Sequence, residues 1–123
     1  MNKTVLGVLK VILLMAVFVL PSCVLDVPGD FDRALMVGTW EQDGLFEVYN
    51  DDGSGKTWDE NDDVSELEAQ RFTWTLEAES LMQIHIMEMG GKLPKTYTVT
   101  ELTETALRYE DDFGKEYYFV RLK

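Results

Sequence analysis

Arg71-Phe72-Thr73-Trp74-Thr75-Leu76-Glu77 alternates without a break: Phe72, Trp74 and Leu76 fall on one side of an extended chain, and Arg71, Thr73, Thr75 and Glu77 on the other. A helix would scatter these apolar residues around its circumference, whereas a period of two fits a strand with one buried face. Lys95-Thr96-Tyr97-Thr98-Val99-Thr100 repeats the pattern, with threonines on one side and Tyr97 and Val99 on the other. Working outward, the same period predicts strands at 39–42, 45–50, 56–59, 70–77, 81–88, 95–100, 106–110 and 116–122. The breaks hold Asp43-Gly44, Asp51-Asp52-Gly53-Ser54-Gly55, Gly90-Gly91 and Asp112-Phe113-Gly114. Gly and Asp tolerate the positive φ of tight hairpins, so successive strands are expected to be antiparallel neighbours. Only 31–37 and 65–70 leave room for a helical turn or two. With no long amphipathic helix to cover the apolar face, the sheet has to close on itself. The expectation is an all-β chain folded as an eight-stranded antiparallel up-and-down barrel; a two-sheet sandwich is the other arrangement the pattern permits.

Ahead of this domain, Lys3 and Lys10 are the only charges in the first 25 residues, and the ten residues from Val11 to Leu20 are all apolar. As a helix, ten residues rise about 15 Å, half of a bilayer core of about 30 Å. The segment therefore reads as a secretory signal peptide, not as a permanent span. It ends in Leu20-Pro21-Ser22-Cys23, which resembles a bacterial lipobox, although Pro21 stands where a smaller residue is commoner. The resemblance implies that Cys23, the sole cysteine, is lipidated and becomes the mature N-terminus. The expected organisation is a signal peptide over 1–22, a tether over 23–32 containing Pro28-Gly29, and a barrel domain over 33–123. The predicted address is the cell envelope, anchored by lipid; Val24 after the cysteine favours the outer membrane by resemblance to bacterial sorting rules.

Charge narrows the partners. Acids outnumber bases 23 to 11 in the 123 residues. Without Lys3 and Lys10 the remainder carries a net charge of −14. A phosphate backbone is bound by clustered Lys and Arg, so nucleic acid is excluded. An anchor must come from lipid, because electrostatic attachment to a membrane needs a polybasic patch. A single His and a single Cys exclude His/Cys zinc sites. Asp59-x-Asn61-x-Asp63 opens like a calcium loop, but Val64 stands where glycine is required and Gln70 where a bidentate glutamate belongs. His85 lacks a Gly-x-Ser-x-Gly nucleophile turn to serve. No enzyme, metal or cofactor is expected.

Gly38-Thr39-Trp40 opens the first strand and is similar to the Gly-x-Trp that starts the lipocalin barrel. Arg121 lies in the last strand, where lipocalins place an arginine over that tryptophan. With the meander between them, the chain resembles the small bacterial lipocalin-like lipoproteins, though it lacks the longer strands and C-terminal helix of lipocalins proper. The resemblance implies a calyx closed at one end by Trp40 and Arg121 and open at the other. Eight strands enclose space that side chains just fill or that holds one small ligand. Alternation predicts an inward set of Phe72, Trp74, Ile84, Tyr97, Tyr109 and Phe119 as the ligand-binding lining. Met82, Ile84 and Ile86 are expected inside, with Gln83 and His85 outside. Two functions follow: a lipid-anchored protein holding a small apolar or amphipathic ligand, or a filled barrel that engages a protein or glycan partner.

Overall fold

A computed structural model describes residues 30–123; the expected signal peptide, Cys23 and most of the expected tether lie outside the described residues. The chain enters through a 3-10 turn, Arg33–Met36, capped by Asp32, whose carboxylate accepts the Ala34 N–H at 3.0 Å. Eight strands follow: β1 Gly38–Gln42, β2 Leu45–Tyr49, β3 Ser54–Asp59, β4 Gln70–Glu77, β5 Ser80–Ile86, β6 Lys92–Leu102, β7 Ala106–Glu110 and β8 Glu116–Arg121. Each pairs antiparallel with the next, and β8 returns to β1 to close the barrel. The all-β, eight-stranded up-and-down arrangement expected from the period-two pattern is therefore the fold. Two further 3-10 turns, Glu60–Asp62 and Glu66–Glu68, lie in the acidic β3–β4 loop.

The register of β4 against β5 overturns one expectation. Glu77 pairs with Ser80 across the two-residue turn Ala78-Glu79, which places Leu76 opposite Leu81, Trp74 opposite Gln83 and Phe72 opposite His85. Directly opposed residues share a face. Leu81, Gln83 and His85 therefore point inward and are buried, while Met82, Ile84 and Ile86 lie on the outer wall. Apolarity alone favours Met82, Ile84 and Ile86 as the inner set; pairing to β4 decides the other way.

At one end the entering chain seals the barrel. The Phe31 N–H reaches the Ala78 carbonyl in the β4–β5 turn at 3.3 Å, and Arg33 donates to Asp51 in the β2–β3 turn. The Trp40 indole N–H donates to the Met36 carbonyl at 2.9 Å. Arg121 lies with its guanidinium carbon 4.4 Å from the Trp40 ring centre. It donates to the carbonyls of Leu35, Val37 and Glu104, joining the 3-10 turn to the β6–β7 turn. Gly38, at φ +148, keeps this junction open, because a Cβ there would collide with Arg121 Nη1. The opposite end carries the β1–β2, β3–β4, β5–β6 and β7–β8 connections.

Candidate binding site at the open end

The interior is closely packed. Phe72 lies over Gly55, where a Cβ would strike its ring. Tyr49 meets Phe72 and Trp74 edge-on at 5.4 and 5.3 Å, and Tyr109 packs on Phe119 at 5.5 Å. Trp40, Leu81, Val99, Leu102 and Leu107 complete one buried cluster. Of the six predicted lining residues, the structure gathers Phe72, Trp74, Tyr109 and Phe119 into this buried core and leaves Tyr97 half-buried toward the mouth. Ile84 does not join them, being on the outer wall beside a dent of about 50 Å³. Trp74 spends its indole N–H on the Asn50 and Ser54 carbonyls, both at 3.1 Å.

Within this apolar packing sits a polar belt that alternation alone does not reveal. Glu47 is 5% exposed. Its two carboxyl oxygens accept the hydroxyl protons of Tyr49 at 2.7 Å and Tyr109 at 2.8 Å. Gln83 Nε2 donates to the Tyr49 hydroxyl at 2.6 Å, and His85 Nε2 lies 2.7 Å from Gln83 Oε1. An amide oxygen only accepts, so His85 Nε2 carries the proton and every bond in the chain points toward Glu47. Burial holds the Glu47 carboxyl above the usual carboxylate range, and the tyrosine bonds pull against it. Burial, with Lys95 adding, pushes His85 down to about 4. Desolvation also raises Tyr49 and Tyr109 well above their ordinary value. Glu47 was legible as an inward residue only from its place between Leu45 and Tyr49 on β2.

The belt supports an aromatic triad beneath the mouth. Tyr97 and Tyr109 lie 4.5 Å apart, Tyr109 and Tyr117 5.1 Å, and Tyr97 and Tyr117 6.1 Å. Tyr109 is tied to Glu47, whereas Tyr97 and Tyr117 reach an open cleft of about 400 Å³. Its walls are residues 94–97 of β6 on one side and Asp111, Asp112 and Phe113 of the β7–β8 turn on the other. Asp111 Oδ1 accepts the N–H groups of Phe113 and Lys115, both at 2.9 Å, which shapes the turn. Lys115 sits 5.0 Å from the Tyr117 ring centre. Tyr97 is thus the one predicted lining residue at an accessible site; alternation along β8 puts Tyr117 on the face of Phe119 and Arg121 without marking it as lining, and Phe113 and the two aspartates escaped sequence reading because a turn, not a strand, brings them there.

The loop tips at this end are apolar. Leu67 in the β3–β4 loop, Met89 in the β5–β6 loop and Phe113 in the β7–β8 turn are 98%, 96% and 95% exposed. Their neighbours are acidic: Glu60, Asp62, Asp63, Glu66, Glu68, Glu88, Asp111 and Asp112. The calcium-like run is engaged within the protein, as the Asp59 carboxylate caps the Asn61 N–H and the Asn61 amide donates to the Asp43 carbonyl. No protein-family model, curated protein or solved structure matches this chain.

Proposed function

We propose that this chain is a lipid-anchored, lipocalin-like protein of the cell envelope that works without catalysis, by presenting the open end of a filled barrel to a protein partner. The observation that carries this reading is the contrast between the two parts of the barrel. Inside, large side chains and a fully bonded polar belt occupy the axis. At the mouth, the exposed Phe113 borders the aromatic cleft, and Leu67 and Met89 are exposed on two other loops of the same end. Exposed apolar side chains gathered at one place mark interaction sites. Attachment through lipid on Cys23, with the outer membrane as its address, supplies the setting. A small amphipathic ligand lying on Tyr97 and Tyr117 is the second reading, favoured by the cleft volume, which falls in the usual range of ligand sites of about 300–1,000 Å³. A glycan partner would use the same rings.

Site-specific photo-cross-linking in intact cells tests the reading. A photoreactive residue in place of Phe113 is expected to capture a protein, and one in place of Thr103, in the β6–β7 turn at the sealed end, is not. Equal capture at both positions, or none at either, refutes it. Native mass spectrometry of the protein from its own cells addresses the second reading, which requires a bound small molecule.

A further inference from the structure

The wall of the barrel is incomplete beside the cleft. β6 has eleven residues and β7 five, and β7 pairs with β6 only from Thr98 onward. Residues 92–97 therefore pair with β5 alone. At about 3.3 Å per residue this overhang runs for roughly 20 Å. In an antiparallel sheet successive residues turn their N–H and C=O to opposite neighbours. The Val99 N–H bonds the Glu79 carbonyl and the Met87 N–H bonds the Gly91 carbonyl, each at 2.8 Å. By that alternation Leu93, Lys95 and Tyr97 direct their main-chain groups to β5, and Lys92, Pro94 and Thr96 direct theirs to the empty side. Pro94 thus has no N–H exactly where β5 needs none. The free groups are the N–H and C=O of Thr96 and Lys92 and the C=O of Pro94, all on exposed residues.

Natural edges are blunted by proline and lysine against indiscriminate pairing. Pro94, Lys92 and Lys95 do that here and leave a short stretch around Thr96 that remains competent. That stretch forms one wall of the 400 Å³ cleft, and Tyr97 and Tyr117 offer ring surface beside it. We propose that the Thr96 edge of β6 is a strand-addition site that takes an extended, net-basic peptide segment of a partner protein. Main-chain bonds to an exposed edge supply affinity in such complexes, and neighbouring side chains supply specificity. A basic partner follows from the −14 charge of residues 23–123 and from Asp111 and Asp112 on the facing wall. Among the described residues neither aspartate forms an ion pair; Lys115 lies over Tyr117, and Lys95 on the opposite wall is one cation against the two aspartates.

This inference rests on the reading of the open end as the working end, and its test is separate from the cross-linking test. The full chain in mild detergent is titrated with a synthetic peptide alternating arginine and valine, with a copy N-methylated at every second amide, and with a glutamate–valine analogue. Amide hydrogen exchange at Thr96 is expected to slow about tenfold with the first peptide and to stay unchanged with the other two, tenfold being the effect of one good hydrogen bond. Thr96→Pro removes a donor that faces no strand and is expected to weaken binding by about the same factor. Asp112→Lys, which leaves the Asp111 turn intact, is expected to weaken it as well. Binding without protection of Thr96, equal binding to Thr96→Pro or to the N-methylated copy, unchanged affinity in Asp112→Lys, or no binding overturns the proposal. Protection that rises with protein concentration in the absence of peptide assigns the edge to a second copy and also overturns it. Cross-linking from position 113 that persists after such a result leaves the open-end reading standing without the strand-addition site.

Discussion

Glu47 is the residue on which the interior turns. A buried carboxylate costs several kcal/mol in desolvation unless its oxygens are bonded, and here both are bonded by tyrosine hydroxyls. Tyr109→Phe removes one donor, keeps the ring packing and leaves Oε2 unpaired, so chemical denaturation is expected to register a loss of about 1–3 kcal/mol. The same substitution frees the middle ring of the Tyr97–Tyr109–Tyr117 triad, and ring-proton exchange broadening at Tyr97 would report it. His85 gives a pH signature of defined sign. Its folded value lies near 4, below the ordinary 6.5. As pH falls below about 6.5 the unfolded chain takes up the proton first, so the stability that His85 contributes is full above 6.5 and is lost progressively toward pH 4. Glu47 has the opposite slope, since a raised carboxyl favours the folded state below about 4.5 and loses that advantage as pH rises. Comparing wild type with His85→Gln isolates the histidine: the stability difference between them is expected to shift against wild type as pH drops from 7 to 4, and a pH-independent difference would contradict its neutral burial.

At the scale of elements, the hairpin between β4 and β5 decides which face of β5 is inside. Its turn has Ala78 at φ +54, a left-handed conformation that a Cβ disfavours. Ala78→Gly relieves that strain, less the extra entropy glycine loses on folding, and is expected to stabilise the protein by about 0.5–1 kcal/mol, read as a raised denaturation midpoint at unchanged slope. The alternation of β4 and the Asp-Gly turns were legible in the sequence because burial on one face writes a period of two, and the number and antiparallel order of the strands follow from them. The face of β5 was not, because Met82, Ile84 and Ile86 are more apolar than Gln83 and His85, and the polar side chains are inside only by virtue of the belt that satisfies them. Ala78-Glu79 carries no Gly or Asn to announce a two-residue turn that would have fixed the register. The edge of β6 illustrates the reverse case. Pro94 delays the expected start of that strand to residue 95, yet the strand begins at Lys92. A proline within a sheet is confined to an unpaired edge, a strand's first residue or a bulge, and here it marks the overhang that borders the cleft.

At the scale of the molecule, the two ends of the barrel have different neighbours. The described chain arrives at Asp30 and Phe31 beside the β4–β5 turn, at the sealed end. Cys23 lies seven residues before Asp30. Fully extended, seven residues reach at most about 25 Å. A six-residue strand is about 20 Å long, so a tether of that reach holds the sealed end at a bilayer without strain, whereas laying the mouth against it requires the tether to run almost fully extended along the barrel wall. The charge of residues 23–123 works in the same direction, because an acidic open end is repelled by anionic lipid. The apolar tips Leu67, Met89 and Phe113 are then directed at whatever approaches from the aqueous side. Reconstitution of protein acylated at Cys23, as proposed, into vesicles containing brominated lipid tests this orientation. A fluorescent amino acid in place of Glu79, in the sealed-end turn, is expected to be quenched more strongly than one in place of Phe113. Stronger quenching at position 113 would mean that the tips insert into the membrane, and the open end would then be a membrane contact and not a docking site for a protein.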